Sequence, residues 1–350
     1  NPSELHFDNH WKHRPMRNSS KLIHIGLAKS MSSTLQAHWQ TSGNYVAIDP
    51  NGVTSKTDSF FDQHRENIDG LVAQLEGSSP PFSFEPNHKL QVLSGEGLAS
   101  SWFCHMPELS EHIPKRQRLL ATMFGPLADK VLIIIRNPVD WIRSAHSQLL
   151  KEGGSLGLAD YMQEFRVSIE KNLDLRALVT FWQQYDAEVV ILPMELFKED
   201  EDAFWIAYEG MLQMSRPESS RLQKIVVNPR VYEALEIHQS VNRILHILET
   251  ACVENKEFPV VDGVIEGLNA ARVLGSRSAM ERLRSDQILE LEGLLSPRKE
   301  QGKLEIPTEL AQQLQNNFVD FLGETRSFSF QQILEGYQHS VSPSYVGPRH

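Results

Sequence analysis

Lys29 is followed by Ser30, Ser32, Ser33 and Thr34, four hydroxyl residues in five positions, with Met31 among them. Just before it the apolar run Leu22–Ile25 ends in Gly26, and the residues after Thr34 can start a helix. Strand, tight turn and helix N-terminus in that order bring unpaired backbone N–H groups and the positive end of a helix dipole to one point. Lys29 adds a mobile positive charge, and the hydroxyls add donors. The chemistry this predicts is the holding of a phosphate-bearing ligand by Lys29, Ser30, Met31, Ser32, Ser33 and Thr34.

A second cluster starts where Val131–Ile135 runs into Arg136-Asn137-Pro138. An arginine leaves the end of a buried strand, and Pro138 opens a helix at a position proline tolerates. Ser144 follows two turns into that helix, placing it to share a pocket with Arg136. A guanidinium grips phosphate through paired hydrogen bonds, and a hydroxyl completes the grip. The same residues also suit an arginine paired with Asp140 and a serine on a packed face.

A third feature is Leu93-Ser94-Gly95-Glu96-Gly97, an apolar strand that releases a carboxylate between two glycines. Strand ends on one sheet edge converge, so Glu96 is a candidate base for an attacking hydroxyl. A solvent-facing glutamate or a salt-bridge partner for Lys29 fits the same residues. His105 is an alternative base, and Trp102 a stacking surface or pocket wall. His24 reads as a packing residue or the maker of a structural hydrogen bond, and His146 as a core-facing or surface residue of the helix after Arg136. His6, His10 and His13 share a spacing one helical face can offer a metal, but no acidic or cysteine ligand completes the set.

The loop differs from the triphosphate pattern G-x-x-x-x-G-K-[ST]. Leu27 and Ala28 stand between Gly26 and Lys29, and Ile135 runs into Arg136 with no acidic residue placed for magnesium. The two basic segments instead resemble the signatures of sulfotransferases that use 3′-phosphoadenosine 5′-phosphosulfate (PAPS). His24 to Thr34 is similar to the 5′-phosphosulfate loop H-I-x-x-P-K-[ST]-[GA]-[ST]-[ST]. Arg136 to Ser144 is similar to the 3′-phosphate motif R-[ND]-P-x-[DE]-R-x-x-S. Val189 to Phe197 resembles the family's later strand and turn. Ala28 replaces the customary proline, Met31 stands where glycine or alanine is favoured, and Trp141 replaces an arginine.

The resemblance spans about residues 21 to 325 and implies sulfuryl transfer from PAPS to a hydroxyl or amine. Lys29 and Glu96 would be catalytic. Lys29, Ser30, Met31, Ser32, Ser33, Thr34, Arg136 and Ser144 would bind PAPS, and no metal would be required. A nucleotide-dependent kinase on the same fold and a non-catalytic nucleotide-binding scaffold are the alternatives.

These residues need a sheet to position them. Leu22–Ile25, Tyr45–Ile48, Leu90–Leu93, Val131–Ile135 and Val189–Leu192 read as strands, the last three and the first as buried parallel ones. Helical patterns at Ser33–Thr41, Phe60–Leu75, Arg116–Phe124, Val139–Leu150 and Leu173–Tyr185 lie between them. Alternation of this kind predicts an α/β fold: a P-loop NTPase-like doubly wound parallel sheet flanked by helices. Its ligands bind beyond the carboxyl ends of the strands. Further helices, expected at Arg230–Thr250, Ala279–Leu295 and Thr308–Leu322, would make a helical C-terminal part from about residue 230, with a loop at 256–275. One domain is expected over 21–330, with a polar arm over 1–20 and a tail over 331–350. The acidic stretch Glu199–Asp202 reads as a helix N-terminal turn.

Hydrophobic residues make up 40% of the 350 and charged residues 23%, an ordinary globular composition. A net charge of −11 argues against nucleic acid as a partner. The acceptor is expected to be a small molecule, glycan, lipid or carrier-bound hydroxyl, met by loops at 49–85, 152–160 and 255–278. No apolar run is long enough to span a bilayer. Cys104 and Cys252, the two cysteines, do not make a disulfide framework, so the cytoplasm is the expected location. The chain starts at Asn1, and an upstream leader or anchor is compatible with this.

Overall fold

Five segments rich in branched aliphatic residues are too short for helices buried on all sides, and each forms a strand. They are β1 (Lys21–Gly26), β2 (Tyr45–Ile48), β3 (Leu90–Gly95), β4 (Lys130–Ile135) and β5 (Glu188–Pro193). The structure is a computed structural model and describes residues 21–27, 30–48, 67–75, 84, 89–95, 98–99, 107–221, 239, 242–244, 246 and 308–324. The strands form one sheet in the order β2-β3-β1-β4-β5, with every pairing parallel. Val131 to Ile135 have no exposed surface, as expected for a central strand covered on both faces.

The helices between the strands are α1 (Ser32–Thr41), α2 (Ile68–Leu75), α3 (Ile113–Phe124), α4 (Pro138–Lys151) and α7 (Leu175–Gln183). Two short helices, α5 (Leu158–Glu164) and α6 (Arg166–Asn172), precede α7. After β5 come α8 (Met194–Glu199) and α9 (Glu201–Leu212), and α10 (Thr308–Glu324) lies far along the chain. From β1 to β2 the chain moves one way along the sheet, and from β2 onwards it moves the other way. Right-handed crossovers then put α1 on the opposite face from the later crossover helices. The packing agrees. His38 of α1 meets Trp205 of α9 edge-on at 5.4 Å, while α3 packs with α2 and α7. The connection leaving β1 and those leaving its neighbours β3 and β4 therefore turn to opposite faces, which is where a parallel sheet opens a crevice at its carboxyl edge.

Large side chains fill both layers. Trp39, Trp141, Trp182 and Trp205 are all fully buried. Three helices start on a side chain that accepts a helix N–H: Asn137 from Val139 at 2.9 Å, Asp174 from Ala177 at 3.0 Å, and Asp200 from Ala203 at 2.9 Å. Tyr45 of β2 bonds the Tyr208 hydroxyl at 2.9 Å and donates to the Ser215 carbonyl at 2.6 Å, which joins the sheet edge to α9.

Several boundaries differ from the sequence reading. The helix expected at Leu173–Tyr185 starts at Leu175, because Asp174 caps it. The expected loop over 152–160 ends at Gly157, where α5 begins and buries Leu158, Tyr161 and Met162. The stretch Glu199–Asp202 does form a helix N-terminal turn for the most part: extended Asp200 caps α9 and Glu201 and Asp202 lie in its first turn, while Glu199 ends α8. The helix expected at Arg116–Phe124 starts earlier, at Ile113, with Pro114 in its first turn. Within the expected Arg230–Thr250 helix, residues 242–244 and 246 are helical, and α10 matches the helix expected at Thr308–Leu322. The arm over 1–20 with His6, His10 and His13, the segment Ala279–Leu295, the loop 256–275 and the tail over 331–350 lie outside the described residues. No helix among the described residues is long and apolar enough to cross a membrane.

Candidate functional site

The exit from β1 is built by close approach. Gly26 pairs in register with Ile134 of β4, and the Leu27 N–H donates to the Ile134 carbonyl at 3.2 Å. Strand alternation points His24 and the α-carbon face of Gly26 toward α1. A β-carbon on Gly26 would fall on Ser32 Oγ and stand 3.3 Å from Ser32 Cβ, so only glycine lets the helix start this close to the strand. The Ser30 N–H donates to the Leu27 carbonyl at 3.0 Å and draws the loop tight.

Met31 then adopts φ 55° and ψ 17°, in the left-handed region, without capping α1 through its side chain. The resembled motif favours glycine or alanine at this position, and of the two only glycine takes a positive φ without strain. The Met31 carbonyl accepts from the N–H groups of Thr34 and Leu35 at 3.0 and 3.1 Å. Among the described residues nothing accepts from the N–H groups of Met31, Ser32 and Ser33. The hydroxyls of Ser30 and Ser32 are buried and make no hydrogen bond among the described residues. Open N–H groups on a left-handed turn at a helix start are chemically suited to an anion. Thr34 and Ser33 are half-buried on the first turn of α1. Lys29, the charge expected at the centre of this loop, lies with Ala28 outside the described residues.

The neighbouring exit is that of β4. Arg136 follows Ile135 directly and is buried, 8% exposed. Asn137 donates its backbone N–H to Glu195 Oε1 at 3.0 Å, and its side chain caps α4. The turn that carries Arg136 is thereby tied both to its own helix and to the first turn of α8, just after β5. Asp140, the alternative partner for Arg136, pairs instead with Arg143 at 3.7 Å, one helical turn on. Ser144 is half-buried on α4, and its hydroxyl makes no hydrogen bond among the described residues. Trp141, which stands where the resembled motif has arginine, is a core residue, 1% exposed.

No family model matches the chain, and neither does any curated protein or solved structure. The reading of the site therefore rests on its own geometry.

The third exit, that of β3, lies on the other side of β1. Gly95 pairs with Ile25, and Glu96 and Gly97 follow it in sequence outside the described residues, as do Trp102, Cys104 and His105. On the far side of that gap the Ala99 carbonyl accepts from Gln117 of α3 at 2.9 Å. Ser94 Oγ meets His24 Nδ1 at 2.7 Å and accepts from Gln36 Nε2 at 3.1 Å. His24 is fully buried, and burial pushes its pKa down to about 3, so the ring is neutral. His24 is structural, as expected, and half-buried His146 bonds the Leu156 carbonyl at 2.9 Å and holds the turn before α5.

Sequence reasoning assigned no role to Gln36, Ser94, Gln117 or Glu195. For Gln36 a signal existed. Ser32, Gln36 and Trp39 recur at helical spacing on the face of α1 that strand alternation aims at His24. Gln117 and Glu195 act on backbone groups of distant segments, and no local spacing announces such a contact.

Proposed function

We propose that this protein transfers a sulfuryl group from PAPS to a hydroxyl or amine acceptor and releases adenosine 3′,5′-bisphosphate. The observation that carries the reading is the adjacency of β1 and β4. Because Gly26 is in register with Ile134, the open start of α1 and the buried Arg136 leave the same sheet edge from neighbouring strands. A ligand with anionic groups at two ends, too large for one helix start alone, suits such a pair. The strand, glycine-led loop and helix at β1 also support a P-loop-like version of the parallel sheet.

In this reading the N–H groups of residues 31–33, with Lys29 and the Ser30, Ser32, Ser33 and Thr34 hydroxyls, hold the 5′-phosphosulfate. Arg136 and Ser144 hold the 3′-phosphate and distinguish PAPS from simpler nucleotides. The acceptor oxygen or nitrogen forms a bond to sulfur as the bond from sulfur to the bridging oxygen breaks. The electron pair leaves with the 5′-phosphate, where Lys29 balances the growing charge, and the acceptor proton passes to Glu96. Positioning and electrostatics supply most of the acceleration.

The test is incubation of acceptor pools with labelled PAPS and identification of the product by mass spectrometry. The wild-type protein should label an acceptor. Lys29→Ala should abolish labelling while the circular dichroism spectrum is kept, and Glu96→Gln should suppress turnover more than PAPS binding. Full turnover in Glu96→Gln removes that carboxylate as the base. Phosphate transfer from ATP with magnesium, in place of sulfuryl transfer, would support the kinase alternative.

A further inference from the structure

Strands β4 and β5 leave the sheet in step. They pair in register to their last residues, Ile135 with Pro193, so Asn137 and Glu195 each stand two positions beyond the pairing. There they meet, and the Asn137 N–H donates to Glu195 Oε1 at 3.0 Å. Asn137 is buried, as is Arg136 before it, so the bond forms at the margin of the core rather than in open solvent. Other contacts of Asn137 run into its own helix: its side chain accepts from the Val139 N–H at 2.9 Å and its carbonyl from the Trp141 N–H at 2.8 Å. Glu195 ties the same turn to a different element. It lies in the first turn of α8, where Met194 is buried and Phe197 meets Phe204 and Trp205 of α9 edge-on at 5.2 and 6.1 Å. Trp205 is in turn edge-on to His38 of α1. Through Glu195, α8 and α9, the turn that carries Arg136 is joined to the helix whose open start stands at the exit of β1.

We propose that Glu195 is a positioning residue that fixes the base of the Arg136 side chain, and with it the preference for a nucleotide phosphorylated at the 3′ position. The inference rests on the sulfuryl-transfer reading and goes beyond it, because a carboxylate repels phosphate and acts here only through the arginine. The N–H that Glu195 accepts belongs to the planar peptide joining Arg136 to Asn137, so holding it sets the plane from which Arg136 departs. On the other side of Asn137, Pro138 has a fixed φ and confines the residue before it to extended backbone, which Asn137 adopts with ψ 124°. The Arg136–Asn137 peptide is therefore the soft point of the turn, and Glu195 is bonded to it. A guanidinium grips phosphate through two parallel hydrogen bonds, and turning its base weakens both. The anion position at the start of α1 depends on other groups and is spared.

The experiment measures the affinities for adenosine 3′,5′-bisphosphate and adenosine 5′-monophosphate, with amide hydrogen exchange at Asn137 followed by NMR. Glu195→Ala should bind the bisphosphate about tenfold more weakly and the monophosphate within about threefold of the wild type. Its Asn137 amide should exchange about tenfold faster or more. Glu195→Gln keeps an oxygen acceptor in place, so both its bisphosphate affinity and its Asn137 exchange should stay within about threefold of the wild type. Glu195 is half-buried on a short helix, and alanine suits that helix, so the circular dichroism spectrum should be kept. Should Glu195→Ala fail to fold, Glu195→Asp, one methylene shorter, carries the same expectation. Equal losses for the two nucleotides, a Glu195→Gln variant as weak as Glu195→Ala, or an unchanged Asn137 exchange rate in Glu195→Ala would each overturn the positioning role. A wild type with no preference for the bisphosphate would overturn the donor reading and this role with it. That result is distinct from a Glu195→Ala variant that keeps the preference of a discriminating parent, which overturns the role alone.

Discussion

Gly26 and Ser32 show how little slack the loop has. A methyl group at position 26 collides with the Ser32 side chain, and both lie against the buried His24 ring. Overpacking of this kind costs about 1–3 kcal/mol. Gly26→Ala should lower the urea midpoint accordingly and weaken anion binding at the start of α1. Adding Ser32→Ala removes the colliding hydroxyl, so the double variant should be more stable than Gly26→Ala alone; simple additivity would contradict the contact. His24 makes a second prediction. Its folded pKa of about 3 lies below the usual 6.5, so the unfolded chain binds a proton in that interval and the folded chain does not. The stability due to neutral His24 is full above about pH 6.5 and is lost as the pH falls toward 3, amounting to about 3 kcal/mol between pH 7 and pH 4. His38 also has a lowered pKa from burial, opposed by Glu201, and adds to the same trend in any variant. His24→Asn should therefore show a shallower fall in urea midpoint from pH 7 to pH 4 than the wild type. Parallel curves would mean that His24 carries no such burden.

At the level of elements, each exit from the sheet is held by contacts that differ in how readable they are. All five strands appear where short apolar runs occur, because a strand buried on both faces needs little beyond such a run. The helices α5 and α6 are not visible in the same way. Each is a seven-residue piece, shorter than the window in which a helical period stands out, and Phe165 interrupts them. Of the candidate site, the glycine, the hydroxyl cluster and Arg136 are legible because their types and spacing carry the chemistry locally. Glu195 is not, since its contact with the Asn137 N–H joins segments whose proximity depends on the pairing of β4 with β5. That turn supplies an element-scale prediction. Asn137→Ala removes the cap of α4 and should cost about 1 kcal/mol by urea unfolding. It should also weaken adenosine 3′,5′-bisphosphate binding, through Arg136. An unchanged affinity would show that Arg136 is held independently of the cap.

At the scale of the whole molecule, the parallel sheet sets the open start of α1 beside β4's exit, with the β3 exit across β1. A chain with a net charge of −11 repels polyanions in general, so the proposed anion binding has to be local to these exits. The central claim is that Arg136 reads a phosphate at the far end of a ligand whose other end lies at α1. Calorimetry with adenosine 3′,5′-bisphosphate and adenosine 5′-monophosphate, on the wild type and on Arg136→Ala, tests it most directly. The account predicts that the wild type prefers the bisphosphate and that Arg136→Ala loses about ten- to a hundredfold for it alone, as befits one charge-assisted pair. Equal affinity of the wild type for the two nucleotides, or an Arg136→Ala variant that keeps the preference, would contradict it.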